Sequence, residues 1–359
     1  MKTSSIKIKI TLQICAISLG IVFIASCKKG DKTPPKSSAP VVTGPYLYVG
    51  GAANNKGVYW KTSLSATTAS AVADTLKNTN TIYSLITSGK DVYVAAQTAG
   101  YYKNDVFIPV TDATGIQYLA LSGTTVLAAG ADNTATMSYW QGNTEINLGN
   151  TIASPLFSAP GTSVLALSGI AASSNKVYVT GKLFYEKQFG SAPNALQGSF
   201  GTLWTNAGLQ LYGPGQLVSA YYNSTAGLAL VGNDVYVAGR MPDSTYAGGY
   251  WKNGTFNSIN NGSFGPTAIT SSGNDIYITG YTFTRAAGTY SQQGAYWKNG
   301  TLISFPSASS TTAIAVNGTD VYILGIDINN NNVVWKNGAV FETLGSALTN
   351  PAVCIAIGD

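Results

Sequence analysis

The chain has 359 residues, of which 45% are hydrophobic and only 10% charged, with 40 Gly, 22 Tyr and no His. Charged residues make up about a quarter of an ordinary soluble domain, so this composition excludes a helical bundle, a coiled coil and a charged disordered tail, and it favours short strands joined by polar turns. The formal charge of +5 belongs to one end: residues 1–44 hold seven Lys and one acid, while the rest hold 13 basic and 14 acidic side chains.

At the N-terminus, Lys2, Lys7 and Lys9 precede an apolar run from Ile10 to Ala25, the pattern of an export signal. The run ends in Ile24-Ala25-Ser26-Cys27 and changes at once to Lys28-Lys29-Gly30-Asp31-Lys32. This stretch resembles the lipobox of bacterial lipoproteins, in which the Cys is acylated and becomes the new N-terminus. The resemblance implies a signal peptide over residues 1–26, lipidation of Cys27 and attachment to a membrane through the acyl chains. It implies a place in the cell envelope as an outer-membrane lipoprotein facing the periplasm or the exterior. The competing reading is an uncleaved anchor, but the run is 16 residues long and is interrupted by Thr11, Gln13 and Ser18, which is short for crossing hydrocarbon. Residues 27–44, with three Pro among Lys and Ser, read as an extended tether. Cleavage and acylation leave Cys354 as the one free thiol, so no internal disulfide is expected.

From residue 45 onward the sequence repeats. The pattern Ala-Ile-Ala-Val, a Gly/Asn turn and Val-Tyr-Val-Ala-Gly appears at Ala226–Gly239, Thr267–Gly280 and Thr312–Gly325. Its central Tyr recurs as Tyr48, Tyr93, Tyr178, Tyr236, Tyr277 and Tyr322, with Leu127 in the third copy. A second element, Tyr-Trp-Lys-Asn-Gly, follows at Tyr250–Gly254 and Tyr296–Gly300 and in weaker form elsewhere; all six Trp of the chain occupy this one position. Asn-Gly between two apolar runs is a two-residue hairpin signal. Each repeat therefore predicts four antiparallel strands, A to D, and seven repeats of 40–50 residues predict an all-β propeller over residues 45–359. A β-sandwich is the competing all-β fold, but it does not account for seven copies of one pattern. The body opens on a B strand (Pro45–Gly51) and closes on an A strand (Val353–Asp359), so pairing the two ends would complete one blade and seal the ring. Cys354 then reads as a buried strand residue.

This plan resembles kelch-type propellers in its Gly-turn-Tyr strand pair and downstream Trp. It is more similar to the Trp-Lys-Asn-Gly repeat lipoproteins of Gram-negative bacteria. That likeness implies fold and location and no activity.

The A–B and C–D turns are short, whereas the B–C and D–A connections absorb the variation in repeat length; the separation from the B-strand Tyr to the C-strand Trp position, held by Tyr102 in repeat two, is 9 residues in repeat two and 26 in repeat four. Long connections on a rigid scaffold are where recognition is built. Repeat four brings Tyr185 and Glu186, repeat five Arg240, Asp243 and Tyr246, and repeat six Tyr281, Phe283 and Arg285; Tyr221 and Tyr222 precede repeat five. Aromatic rings with a few polar groups make a candidate ligand surface on this face, although the same rings would also serve to pack long loops. The six Trp read as inter-blade core.

Catalysis has little support. Zero His removes Ser-His-Asp and Cys-His nucleophile systems and His-bound metals. Glu186 with Asp243 is the one carboxylate pair a hydrolase or lyase could use. Asp91, Asp234, Asp275 and Asp320 read as turn residues bonding nearby backbone N–H groups, and Asp327 with Asn329–Asn332 reads as a polar loop without Ca²⁺-loop spacing. No cofactor or metal is expected. The body has only two Arg and no basic stripe, so nucleic acid is not an expected partner. The sequence points to a non-enzymatic envelope protein that binds a ligand or an envelope protein, with a structural scaffold as the alternative.

Overall fold

The computed structural model describes residues 44–65, 71–148, 162–173, 176–187, 196–205, 208–212, 224–241, 247–286, 289–345 and 348–359. Residues 1–43, with the expected signal peptide, Cys27 and all but the last residue of the expected tether, lie outside the described residues.

Among the described residues twenty-eight strands form seven four-stranded antiparallel sheets. Blade 1 contains β1 (Tyr46–Ala53), β2 (Lys56–Ser63) and β3 (Val72–Thr75). Blade 2 is β4 (Ser84–Ser88), β5 (Asp91–Thr98), β6 (Gly100–Lys103) and β7 (Val106–Pro109). Blade 3 is β8 (Ala113–Ser122), β9 (Thr125–Asp132), β10 (Met137–Gln141) and β11 (Thr144–Asn147). Blade 4 is β12 (Thr162–Ser173), β13 (Lys176–Lys187), β14 (Leu196–Thr205) and β15 (Gly208–Tyr212). Blade 5 is β16 (Ser224–Val231), β17 (Asp234–Arg240), β18 (Gly248–Lys252) and β19 (Thr255–Ser258). Blade 6 is β20 (Phe264–Ser272), β21 (Asp275–Ala286), β22 (Thr289–Lys298) and β23 (Thr301–Ser304). Blade 7 is β24 (Ala308–Asn317), β25 (Asp320–Asp327), β26 (Asn332–Lys336) and β27 (Ala339–Gly345). The last strand, β28 (Leu348–Gly358), returns to pair with β1 as the inner strand of blade 1. Head and tail thus share one sheet, as the ends of the sequence predict, and no blade lacks an inner strand.

The tryptophans stand in one register. Trp60, Trp140, Trp204, Trp251, Trp297 and Trp335 pair with Val49, Ala128, Val179, Val237, Ile278 and Ile323, each the residue after the central Tyr or its Leu127 counterpart. Five are buried and Trp297 is half-buried. Their rings fill the wedges between blades. Trp335, for example, joins Phe305, Tyr296 and Tyr277 of blade 6 in one apolar cluster.

The Trp-Lys-Asn-Gly signature also has a polar half. In blades 2, 5, 6 and 7 the C–D hairpin Asn (Asn104, Asn253, Asn299, Asn337) sits at φ 44–50°, where Asn is tolerated and most side chains are not. From there its Oδ1 accepts the N–H of Val92, Val235, Ile276 or Val321 at 2.8–3.0 Å. Its Nδ2 donates to Asp91, Asp234, Asp275 or Asp320 at 2.7–2.8 Å. The preceding Lys reaches the other carboxylate oxygen at 2.7–3.0 Å and lies 4.9–5.5 Å from the centroid of the central Tyr ring. The Asp therefore does not bond neighbouring N–H groups as its turn position suggests. It ties the A–B turn to the C–D turn, because the strand order places both turns on one face. The Lys336 ammonium, and next to it Asn337, holds the Asp320 carboxyl below the usual carboxylate range.

Most of this clasp's stabilisation comes from the Asn, since the Lys–Asp pairs are solvent-exposed and screened. Asn337→Ala takes away the acceptor of the Val321 N–H and places Ala in the left-handed region, and should cost about 1–2 kcal/mol. Lys336→Met, which keeps the stem against Tyr322, should cost less. Urea unfolding of the two variants checks this; the opposite order would show that the ion pair carries the clasp.

Candidate ligand-binding face

The face opposite the clasps carries the longer connections, and in two blades these are strands rather than loops. In blade 4 the pairing of β13 with β14 runs out to Lys187↔Leu196, and in blade 6 that of β21 with β22 runs to Ala286↔Thr289. The long B–C connections of repeats four and six are thus largely antiparallel ladder: Tyr185 and Glu186 pair with Gly198 and Gln197, and Arg285 pairs with Tyr290. Alternation such as Thr282-Phe283-Thr284-Arg285 is a strand signal, and pairing satisfies backbone groups that a loop would leave to water. Blade 5 lies between these extensions, with β16 against β12, β13 and β14 on one side and β20 against β16, β17 and β18 on the other.

At the end of β17, Arg240 reaches across to blade 6. Its Nη2 donates to the Tyr281 hydroxyl, and its guanidinium lies 5.1 Å from the Tyr281 ring centroid and 5.7 Å from that of Phe283. The two rings are 6.5 Å apart and tilted by 55°. Gly265, paired with Tyr281, makes the crossing possible, because a Cβ there would collide with both the guanidinium and the Tyr281 ring. Arg240 is half-buried and makes no ion pair among the described residues.

The structure thus brings together three of the sequence-predicted site residues: Arg240, Tyr281 and Phe283. It places the backbones of Tyr185, Glu186 and Arg285 on the blade 4 and blade 6 extensions. Tyr221, Tyr222, Asp243 and Tyr246 lie outside the described residues. Sequence reading passed over Lys182, which stands four residues after Tyr178 just as Arg240 and Tyr281 stand four after Tyr236 and Tyr277. The repeat alignment already held that signal. Lys182 is half-buried, and burial lowers its pKa.

The seven inner strands enclose a central channel of about 460 Å³. One-residue irregularities mark several of them at this level, between Leu167 and Gly169, Thr225 and Gly227, Pro266 and Ala268, and Thr311 and Ala313. Among the described residues no Asp, Glu, Lys or Arg lines the channel. The hydroxyls of Ser168 and Thr267 that reach it are occupied by the framework: Ser168 bonds Thr180 and Thr225, and Thr267 bonds the Thr279 carbonyl. Tyr118 of blade 3 contributes an aromatic ring at the register position where blades 4 and 5 have Gly169 and Gly227, and Tyr83 of blade 2 adds a second from the position level with Ser168 and Ala226.

Four further acids among the described residues are committed to local structure. Glu342 accepts the Thr62 hydroxyl at 2.7 Å across blades 7 and 1, and burial raises its pKa. Glu145 accepts the Ser138 hydroxyl at 2.6 Å. Asp327 Oδ1 accepts the N–H groups of Asn329 and Asn331, both at 2.8 Å, and Asp132 Oδ1 does the same for Thr134 and Thr136. Among the described residues no group of three or more His, Cys, Asp or Glu could hold a metal ion. Cys354 is buried, and desolvation pushes its thiol pKa up to about 12, so the thiolate that reacts is scarce in the folded protein.

Seven four-stranded blades closed in a ring around a channel define the class: this is a seven-bladed β-propeller. No protein-family model matches the chain, and no curated protein does. Among solved structures it is similar to the β-propeller domain of the Trilobed protease from Pyrococcus furiosus, at 11% identity over 86% of this chain and 95% of that chain, TM-score 0.48. It is similar to the computationally designed Ika8 protein, at 13% identity over 86% and 89%, TM-score 0.44. It is also similar to the Dos1 propeller, at 14% identity over 86% and 83%, TM-score 0.40.

Proposed function

We propose that the protein is a lipid-anchored envelope protein whose propeller binds a ligand or protein partner on the face carrying the blade 4 and blade 6 extensions. The observation that carries this reading is Arg240, laid across the blade boundary on Tyr281 and Phe283 between two strand extensions that the ring itself does not need. A rigid scaffold that spends sequence on one sector of one face is building a recognition surface. The lipobox-like stretch ending in Cys27, and the likeness to Trp-Lys-Asn-Gly repeat lipoproteins, support the anchor and the envelope location. Combining Tyr185→Ala, Arg240→Ala and Arg285→Ala should abolish capture of partners from detergent-solubilised envelopes, and binding to a glycan array, while the variant still folds and melts cooperatively. Binding retained by the folded triple variant would reject the face. Cys27→Ala should release the chain from membranes.

A scaffold is the second reading, and the rim favours it. Three successive blades, 7, 1 and 2, expose Val340, Val72 and Val106 on their outer strands, at 58%, 64% and 62%. Outer strands with unpaired edges are sites of strand addition. Val72→Lys with Val106→Lys would separate the readings, because it should disrupt a scaffold contact and leave the extension face intact.

A further inference from the structure

We propose that the blade 4–6 face binds an oxyanion, a carboxylate, sulfate or phosphate group, through Arg240, with Lys182 of the neighbouring blade as the second cation. This rests on the reading of that face as the binding surface and adds the chemistry of what binds.

A guanidinium is always charged and carries five N–H donors in a planar fork. In Arg240 one nitrogen donates to Tyr281, and the aromatic faces stabilise the positive charge without accepting its other N–H groups. The side chain is half-buried, so its charge is incompletely hydrated, and it has no carboxylate partner among the described residues. Two acids of blades 3 and 7 at the same end of the ring, Asp132 and Asp327, already accept N–H groups of their own loops. Gly265 and the Tyr281 hydroxyl hold the guanidinium in one place, so little side-chain entropy is left to lose when a ligand binds. Lys182 occupies the equivalent position on blade 4, which sets two cations on adjacent blades at one level of the ring. A fixed guanidinium fork matches two oxygens of one carboxylate, sulfate or phosphate group.

The chain contains two Arg, Arg240 and Arg285, so ¹⁵N-arginine labelling of the full chain yields two side-chain Nε–H signals, assigned by the one that disappears in Arg240→Lys. Titration with inorganic phosphate, sulfate or acetate, against chloride at matched ionic strength, should shift the Arg240 signal saturably, with half-saturation at about 1–10 mM. The order of the three anions identifies the oxyanion. In Lys182→Gln the half-saturation point should rise at least threefold. An Arg240 shift that never saturates, or that chloride reproduces at the same ionic strength, would show an adventitious ion only and overturn the proposal. Anion binding that appears only in the Glu186→Gln, Asp243→Asn protein would overturn it too, because Arg240 would then be neutralised from within the chain. A partner that is lost on replacing Tyr185, Arg240 and Arg285 but is not displaced by any of the three anions would leave the binding face standing and refute the oxyanion alone.

Discussion

Deleting residues 346–359 is expected to leave no folded propeller. β28 supplies the inner strand of blade 1, pairing Leu47, Tyr48, Val49 and Gly50 with Ile357, Ala356, Ile355 and Cys354. It also packs against the neighbouring inner strands β4 and β24. Its loss removes seven paired positions, each hydrogen bond worth about 0.5–1.5 kcal/mol net. It exposes the apolar surface around Ala352, Cys354 and Ile355, all buried, at about 1.5–3 kcal/mol for a residue the size of Ile. The total is comparable with the whole stability of a domain, about 5–15 kcal/mol. Blade 1 would also present one raw strand edge, that of β1, to the ring, a template for aggregation. Circular dichroism and size-exclusion chromatography check this: the truncated chain should be unfolded or aggregated. A monomeric, cooperatively melting product would mean that the other six blades hold the ring open and intact. A milder variant reads the same seam, since a Cβ on Gly50 would press on Cys354 Sγ and the Ile82 side chain.

Trp335→Ala should be the most damaging single substitution among the tryptophans, at about 3–5 kcal/mol. The side chain is fully buried. Its ring lies parallel to Phe305, 6.3 Å away and 5° from coplanar, and its Nε1–H donates to Ser307 Oγ at 3.1 Å. Truncation opens a cavity between blades 6 and 7 that β-sheets anchored on both sides cannot collapse to fill. The equivalent Trp297→Ala removes a half-buried ring and should cost clearly less. Urea unfolding followed by far-ultraviolet circular dichroism gives both values. A Trp335→Ala cost below that of Trp297→Ala would refute the assignment of the indole position as the inter-blade wedge.

The arrangement of Arg240 shows where reading the chain stopped. That both Arg lie on the long-connection face was legible, because strand alternation and turn length fix which end of a blade each residue occupies. That Arg240 lies on Tyr281, 41 residues later, was not, because the contact crosses a blade boundary and local propensity carries no term for it. The same holds for Gly265, an ordinary strand residue in the sequence, whose missing side chain matters only because another blade's guanidinium passes over it. Lys182 was legible and overlooked; the repeat register places it level with Arg240.

What the sequence by itself determined is the repeat: the strand pairs, the Asn-Gly hairpins, the buried indoles and the sealing of first strand to last. Each of these is set by neighbours a few residues apart, or by a packing problem that recurs in every blade, so the same residues solve it each time. What only the tertiary structure decided is the use made of them. Asp–Lys–Asn clasps join turns that the chain order keeps apart, the long connections of blades 4 and 6 zip into ladders, and a cation is fixed on a neighbouring blade's rings. Those outcomes depend on distances between separate sheets, and such distances exist only once the ring has closed.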